Sequence, residues 1–154
     1  MKIKIFALGK SKQKFIEEGL QEYLKRLTRY VQIDFKILPD VKLTKTNSIE
    51  IVKEKEAIIL EKQLAEFDFV IALDENGTQY SSKDFAKLIE MKKGKSNLAF
   101  IIGGVYGLSP KILNKANLIL SFSKFTFTHQ MIRFILTEQL YRAFTILEGK
   151  KYHY

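Results

Sequence analysis

The sequence predicts an α/β protein built on a mostly parallel sheet with helices on both faces. Segments with strand character alternate with segments of helical periodicity along the chain. Three of the strand segments, 68–73, 98–102 and 118–121, are continuous apolar runs, a pattern typical of strands covered on both faces. The 154 residues show no internal repeat and no domain boundary, so we expect residues 1–154 to form a single domain.

The first half of the chain predicts two strands and two helices. Apolar and polar residues alternate over Lys2–Leu8, as in a strand, and Lys12–Tyr30 repeats its apolar residues at helical spacing. Ser48 suits the cap of a helix over 48–65, in which the charged run 53–56 is expected to be a solvated face. Between the two helices lie a second strand at 31–38 and a polar connector at 39–47.

The second half predicts three more strands and three more helices. The strand at 68–73 should end in a turn at 74–77, because Asp-Glu-Asn-Gly is turn chemistry. Ser81 and Ser109 are capping residues, and Pro110 suits a first helical position. The remaining elements are, in order, a helix at 81–92, a strand at 98–102, a helix at 109–115, a strand at 118–121, a loop at 122–128 and a helix at 129–147.

Composition excludes several classes of function. The chain has no cysteine, which rules out disulfides, thiolate metal sites and a cysteine nucleophile. Only two histidines are present, so no metal is expected. No apolar run reaches the length of a membrane span, and the N-terminal apolar stretch is too short for a signal peptide. We therefore expect a cytoplasmic protein without membrane contact.

The charge of +9 is unevenly distributed. Residues 1–30 and 111–154 each carry a net charge of +5, whereas residues 31–110 carry −1. If the two ends meet in the fold, they form one basic surface that would attract the phosphates of a nucleic acid. A generally lysine-rich proteome is the alternative explanation.

The last predicted helix is apolar on nearly every side, which is unusual for a terminal helix. Such a helix is buried in several directions. Either the rest of the chain covers it, or a second subunit does. The pattern favours an intimate homodimer.

Ligands of open parallel sheets bind beyond the carboxyl ends of the strands. Three such ends carry candidate residues, at 73–75, 103–107 and 121–127. The glycines of the second end allow a close backbone approach, but their spacing matches neither a dinucleotide fingerprint nor a P-loop. They fit a pocket for an adenosine-like ligand, and they fit a tight strand-to-helix turn equally well.

Only a few titratable residues are candidates for a catalytic role. No Ser–His–acid order and no pair of catalytic carboxylates is evident. His129 could cap a helix start, and Arg142 follows Glu138 at the spacing of an ordinary helical ion pair. The terminal Tyr152-His153-Tyr154 could stack on unpaired bases and move protons, or it could be a frayed tail or one docked on a partner.

Five segments are similar to the RlmH family, the bacterial large-subunit rRNA pseudouridine N3-methyltransferases of the SPOUT class. The resemblance covers essentially the whole chain and is most specific over its last third. The segments are Met1–Lys10, Glu22–Leu27, Ile102–Ser109, Leu120–Arg133 and Glu138–His153.

The resemblance implies a homodimer whose C-terminal part forms a trefoil knot around S-adenosylmethionine. The acceptor would be N3 of a pseudouridine in the helix 69 stem-loop of 23S rRNA, on the assembled 70S ribosome. His129 would shape the cofactor loop. By motif match, the residues that would hold the cofactor are Leu73, Gly103, Phe122, Ser123, Lys124, Phe125, Thr126 and Phe127.

Residue chemistry and the motif match together suggest roles. His153 would remove the N3 proton, Arg142 would supply a cation and Tyr152 would stack. Phosphate contacts would come from Lys12, Lys14, Lys25, Arg26 and Arg29. The alternatives are a non-catalytic ribosome-binding factor with the same fold and a small-molecule α/β enzyme.

Three positions depart from the family pattern. Thr128 stands where a proline is usual, which makes the turn less rigid, and Phe125 replaces a methionine or leucine. Tyr154 stands where many members end in a cation. The last residue therefore provides no positive charge here.

Overall fold

The computed structural model describes residues 1–152, which form five strands and five helices. All the predicted elements are present, with ends that differ by a few residues except in the third strand. In chain order they are β1 (Lys2–Leu8), α1 (Lys14–Leu27), β2 (Gln32–Leu38), α2 (Ile49–Leu64), β3 (Phe69–Gln79), α3 (Ser82–Lys92), β4 (Leu98–Ile102), α4 (Pro110–Lys115), β5 (Leu118–Ser121) and α5 (Met131–Leu147).

The strands form one sheet in the order β2-β1-β4-β3-β5, and every neighbouring pair is parallel. β1 and β4 are interior strands, and their alternate side chains enter two separate cores. Ile5 and Phe100 face the core that α1, α3 and α5 cover, whereas Phe6 and Ile101 face the core that α2 and α4 cover. The predicted α/β fold with helices on both faces is confirmed.

The third strand is longer than its sequence pattern predicts. β3 continues to Gln79, so the predicted strand end at Leu73 and the separate turn at 74–77 are wrong. Leu73 and Thr78 both pair with Leu120, and the four residues between them leave the regular register. The turn-forming residues therefore produce a bulge within a strand, because β5 continues to offer pairing partners beyond it.

α5 lies on the sheet between α1 and α3, and the chain itself covers most of its surface. Leu136, Leu140 and Phe144 are buried against the sheet. None of its large apolar side chains is among the exposed ones. Cover by the same chain therefore accounts for part of the apolar pattern, but Ile132, Phe134 and Ile146 are among the side chains that stay partly exposed, and the homodimer stays a prediction. The packing of α1 against α5 brings only part of the two basic ends together, because Lys111 and Lys115 lie on α4 on the other side of the sheet and Arg133 is buried.

The charged run 53–56 is only partly solvated, so that expectation was wrong at Glu56. Glu54 and Lys55 are exposed, but the Glu56 side chain is buried at 4% relative exposure. Its Oε1 accepts a hydrogen bond from the backbone N–H of Val41 at 3.0 Å. Burial, with a smaller contribution from nearby Asp40, raises the pKa of this carboxyl.

We expect Glu56→Gln to stabilise the protein at neutral pH. The pKa of the Glu56 carboxyl in the folded protein lies above the ordinary 4.5. As the pH rises above 4.5 and the buried carboxylate ionises, the folded state therefore loses stability relative to the unfolded state. Glutamine keeps the acceptor for Val41 and carries no charge, so the free energy of unfolding should rise by about 1 kcal/mol at pH 7. Urea unfolding at pH 7 and below pH 4.5 measures this gain, which should vanish at the lower pH. The exposed neighbour change Glu54→Gln is the control, and an equal gain in both variants would refute the explanation.

Candidate active site

A cavity of about 790 Å³ opens where β4 and β5 end and β3 bulges, a volume ordinary for a small-molecule site. Three segments form its walls: the bulge at 74–76, the turn at 102–108 and the loop at 120–130. Leu73 of β3, Ile132 of α5, Gln13 and Lys53 complete the lining. The cavity thus lies beyond the carboxyl ends of the strands, where the sequence predicts a ligand.

The turn after β4 folds tightly onto itself. A Cβ placed on Gly103 would lie 2.8 Å from the carbonyl carbon of Gly107 and 3.0 Å from the backbone nitrogen of Leu108. Gly107 has a φ of +76° and donates its N–H to the carbonyl of Gly104 at 3.2 Å. A side chain at Gly103 would therefore push the turn open, so the cavity wall depends on its absence.

The loop after β5 is ordered by its own hydroxyl groups. The Ser121 hydroxyl donates to the carbonyl of Ser123 at 2.9 Å, and the Ser123 hydroxyl accepts the N–H of Phe125 at 3.0 Å. At the end of the loop, the Thr128 hydroxyl accepts the N–H of Met131 at 3.1 Å. The hydroxyl of Thr128, rather than the side chain of His129, therefore bonds to the first residue of α5, and this bond orders the turn at 128–131.

His129 lines the cavity and is half-buried. Burial, and secondarily the charge of Arg133, lowers the pKa of its imidazole, so the ring is neutral at physiological pH. Arg133 itself is fully buried, donating to the carbonyl of Leu8 at 2.6 Å and to that of His129 at 3.0 Å. This arginine ties the start of α5 to the end of β1 and fixes the backbone of His129.

Most residues of the predicted cofactor set come together around the cavity. Lys124 is the exception, since it is exposed and lies outside the lining. Phe125 is 82% exposed at the cavity rim, so residues 1–152 leave most of its ring uncovered. The predicted residues that line the cavity are Leu73, Gly103, Phe122, Ser123, Phe125, Thr126, Phe127 and His129.

Arg142 and Tyr152 lie elsewhere, near the C-terminal end of α5. Arg142 is 11 residues beyond Met131, about 16 Å along the helix axis at roughly 1.5 Å per residue. Its guanidinium donates twice to Glu138 Oε1, at 2.9 and 3.1 Å, and lies 4.9 Å from the ring centre of Tyr152. Neither residue lines the cavity. His153, the residue expected to remove the proton, lies outside the described residues.

The five basic residues predicted to contact phosphates are all exposed. Two of them form ion pairs along α1: Lys14 with Glu18 at 3.6 Å, and Arg26 with Glu22 at 2.7 Å. Within residues 1–152, the side chains of the other three form no ion pair. These three are Lys12, Lys25 and Arg29.

Lys53 and Arg133 were not identified from the sequence as residues of the site. Lys53 was grouped with a solvated run, and only the contact between α2 and the glycine turn brings it to the cavity. Arg133 carried a usable signal, because a lone cation inside the apolar stretch Met131–Leu136 is costly unless it has buried acceptors.

A family model described as "Predicted SPOUT methyltransferase" matches residues 1–153. The chain belongs to the SPOUT methyltransferase family. The predicted family membership is thereby confirmed, and with it the prediction that the protein is a methyltransferase.

Curated relatives show which of the SPOUT methyltransferases this chain is similar to. The chain is 48% identical to a protein named "Ribosomal RNA large subunit methyltransferase H" of Halothermothrix orenii, over 99% of both chains. It is 43% identical to the protein of the same name from Christiangramia forsetii, over 100% of this chain and 99% of the relative. The resemblance to the RlmH family is confirmed along the full length of these relatives.

Solved structures confirm the SPOUT methyltransferase fold. A probable methyltransferase from Bordetella pertussis matches with a TM-score of 0.58 at 12% identity, over 92% of this chain and 95% of that one. A probable methylase family protein from Haemophilus influenzae matches with a TM-score of 0.57 at 15% identity, over 99% of this chain and 70% of that one. The trefoil knot stays a prediction.

Membrane-spanning helices and clusters of metal ligands are both absent from the described part of this SPOUT methyltransferase. No helix in residues 1–152 has the length and apolar character that crossing a bilayer requires. No group of three or more potential metal ligands lies together in the same range.

Proposed function

We propose that this protein transfers a methyl group from S-adenosylmethionine to N3 of a pseudouridine in helix 69 of 23S rRNA, on the assembled 70S ribosome in the cytoplasm. The observation that carries the proposal is the cavity at the sheet edge, whose wall depends on a bare backbone at Gly103. The names of the curated relatives support large-subunit rRNA as the substrate class.

The cavity residues fit the proposed methyl donor. The bare glycine turn allows the flat adenine to approach backbone groups, and the aromatic side chains of Phe122 and Phe127 offer apolar surface. Asp74 and Glu75 line the same cavity, and their carboxylates suit the positive sulfonium and ammonium groups. Lys53 offers a partner for the carboxylate of the donor.

The bound donor supplies an already activated methyl group, so the protein must position the acceptor and remove its proton. N3–H of a pseudouridine is a weakly acidic imide, and a nearby base together with a cation beside the ring carbonyls lowers the barrier to its loss. We assign the base to His153 and the cation to Arg142. Neutral His129 shapes the cofactor loop, with its backbone held by Arg133.

The separation of these groups within one chain supports a homodimer. The cavity surrounds the start of α5, whereas Arg142 and Tyr152 lie near its other end. A methyl group held in the cavity is therefore far from Arg142 and Tyr152 of the same chain. In a twofold assembly, the tail of one subunit can meet the cavity of the other.

Titration with S-adenosylmethionine in a calorimeter tests the proposal against its main alternative, the ribosome-binding factor. We expect one molecule of S-adenosylmethionine to bind per chain. The heat of binding should disappear when Gly103 is replaced by alanine. Ribosome binding without any binding of the methyl donor would favour the non-catalytic factor. Donor binding without affinity for RNA would favour a small-molecule enzyme.

We expect the basic surface to make RNA binding strongly dependent on salt. Replacing Lys12, Lys25 and Arg29 together by glutamine should weaken binding to ribosomes and lower the slope of log affinity against log salt by about 2 to 3, since each phosphate contact contributes roughly 0.7 to 0.9. Binding measured between low and moderate salt gives the slope. The same loss of charge on α2 and in the connector before it, at Lys45, Lys55 and Lys62, is the matched control. An unchanged slope in the first triple variant would exclude this surface.

A further inference from the structure

The last described residues of the chain fold back onto their own subunit. Lys150 Nζ donates to the Tyr30 hydroxyl at 3.0 Å, and the Tyr152 hydroxyl lies 3.0 Å from that of Tyr23. Tyr23 belongs to α1, and Tyr30 lies just beyond its end. Two tyrosine hydroxyls spaced by seven residues thus hold alternate residues of the tail.

The hydroxyl of Tyr23 is the first member of a short chain of hydrogen bonds. The Tyr152 hydroxyl donates to Glu138 Oε1 at 3.1 Å, so it must accept the hydrogen of Tyr23. The same Glu138 oxygen accepts both bonds from Arg142. Tyr23 on α1 is therefore connected to the proposed catalytic cation through two intermediate side chains.

The rings of this cluster are fixed independently of the hydroxyls. Tyr23 packs on Phe134 at 5.6 Å and on Tyr141 at 5.7 Å between ring centres, and Tyr141 packs edge-on against Tyr152 at 4.9 Å. A phenylalanine at position 23 would keep these ring contacts and would lose only the bond to Tyr152. The hydroxyl can thus be tested separately from the packing.

We propose that Tyr23 is a positioning residue for methyl transfer, whose hydroxyl fixes Tyr152 against Glu138 and so holds the end of the tail beside Arg142. The proposal rests on the proposed function, because it gives the tail a part in catalysis. Burial, followed by the bonds to Tyr23 and Glu138, raises the pKa of Tyr152, so its hydroxyl stays protonated and able to donate. Tyr23 need not touch the acceptor base.

The test compares Tyr23→Phe with Tyr141→Phe, which removes a hydroxyl from the same aromatic cluster. Within residues 1–152 the Tyr141 hydroxyl has no hydrogen-bond partner, so its loss should leave the tail in place. Two quantities are measured for each full-length variant: kcat and KM for methylation of 70S ribosomes, and hydrogen exchange of the backbone amides at 148–152. For Tyr23→Phe we expect kcat to fall about five- to tenfold, the scale of one lost hydrogen bond, with the affinity for S-adenosylmethionine unchanged.

We expect tail exchange to become faster in Tyr23→Phe, while Tyr141→Phe should match the wild type in both measurements. An unchanged kcat in Tyr23→Phe would overturn the proposal, as would a lower kcat with unaltered tail exchange. If the wild-type protein methylates no ribosome, the proposed function is wrong. The exchange comparison still decides in that case whether the Tyr23 hydroxyl holds the tail.

Discussion

Replacing Gly103 by alanine is expected to abolish binding of S-adenosylmethionine while leaving the sheet intact. The new Cβ would lie 2.8 Å from the carbonyl carbon of Gly107, and backbone atoms cannot move aside as a flexible side chain can. The turn would have to open into the cavity that it lines, so we expect the affinity for the donor to fall at least about a hundredfold, roughly 2.7 kcal/mol. Calorimetry measures the affinity, and circular dichroism checks the fold.

Gly94→Asn is the matched control for Gly103→Ala. Gly94 lies in the turn after α3, with a φ of +74° and no atom within 4 Å of the point that a Cβ would occupy. Asparagine tolerates that conformation, so this variant should bind the donor like the wild type. Normal binding by Gly103→Ala would mean that the donor does not use this turn, and the proposed cofactor site would have to be abandoned.

Mixing two inactive variants is expected to restore activity. Gly103→Ala damages the cavity, and Arg142→Gln removes the proposed cation while keeping hydrogen-bonding groups for Glu138. If one subunit's tail completes the other's cavity, a mixed dimer contains one intact site and one doubly damaged site. The purified mixed dimer should therefore show about half of the wild-type activity per dimer, because one of its two sites works.

The mixture is prepared by co-expressing the two variants with different affinity tags, and methylation of ribosomes is measured on the purified mixed dimer. Each variant alone should show almost no activity and should still form dimers. Continued inactivity of the purified mixed dimer would place cavity and tail of each working site in the same chain. A monomeric protein in solution would exclude the twofold assembly altogether.

Much of the fold could be predicted from the sequence because local patterns determine it. Alternation and apolar runs identified the strands, and the capping residues Ser48, Ser81 and Ser109 each accept the backbone N–H predicted by their position. The bulge in β3 could not be predicted. Whether Asp-Glu-Asn-Gly ends a strand or interrupts it depends on pairing partners in β5, which lies more than forty residues further along the chain.

The residues predicted to bind the cofactor come mostly from segments with a specific family pattern, and all of them except Lys124 line the same cavity. The burial of Glu56 could not be predicted, since it depends on Val41 and Gly104 meeting around one side chain. The contact of Tyr23 with Tyr152 joins residues 129 positions apart and follows no helical or strand spacing. Such distant contacts depend on the assembled layers and leave no local pattern.

The most direct test of the proposed function uses 70S ribosomes from a strain that lacks this protein. The purified wild-type protein is incubated with these ribosomes and S-adenosylmethionine, and fragments of the 23S rRNA are then examined by mass spectrometry. We expect one methyl group to appear on a pseudouridine of helix 69, with no gain in the reaction that contains Gly103→Ala. A helix 69 fragment that gains no methyl group, from ribosomes that bind the protein, would contradict the proposed function.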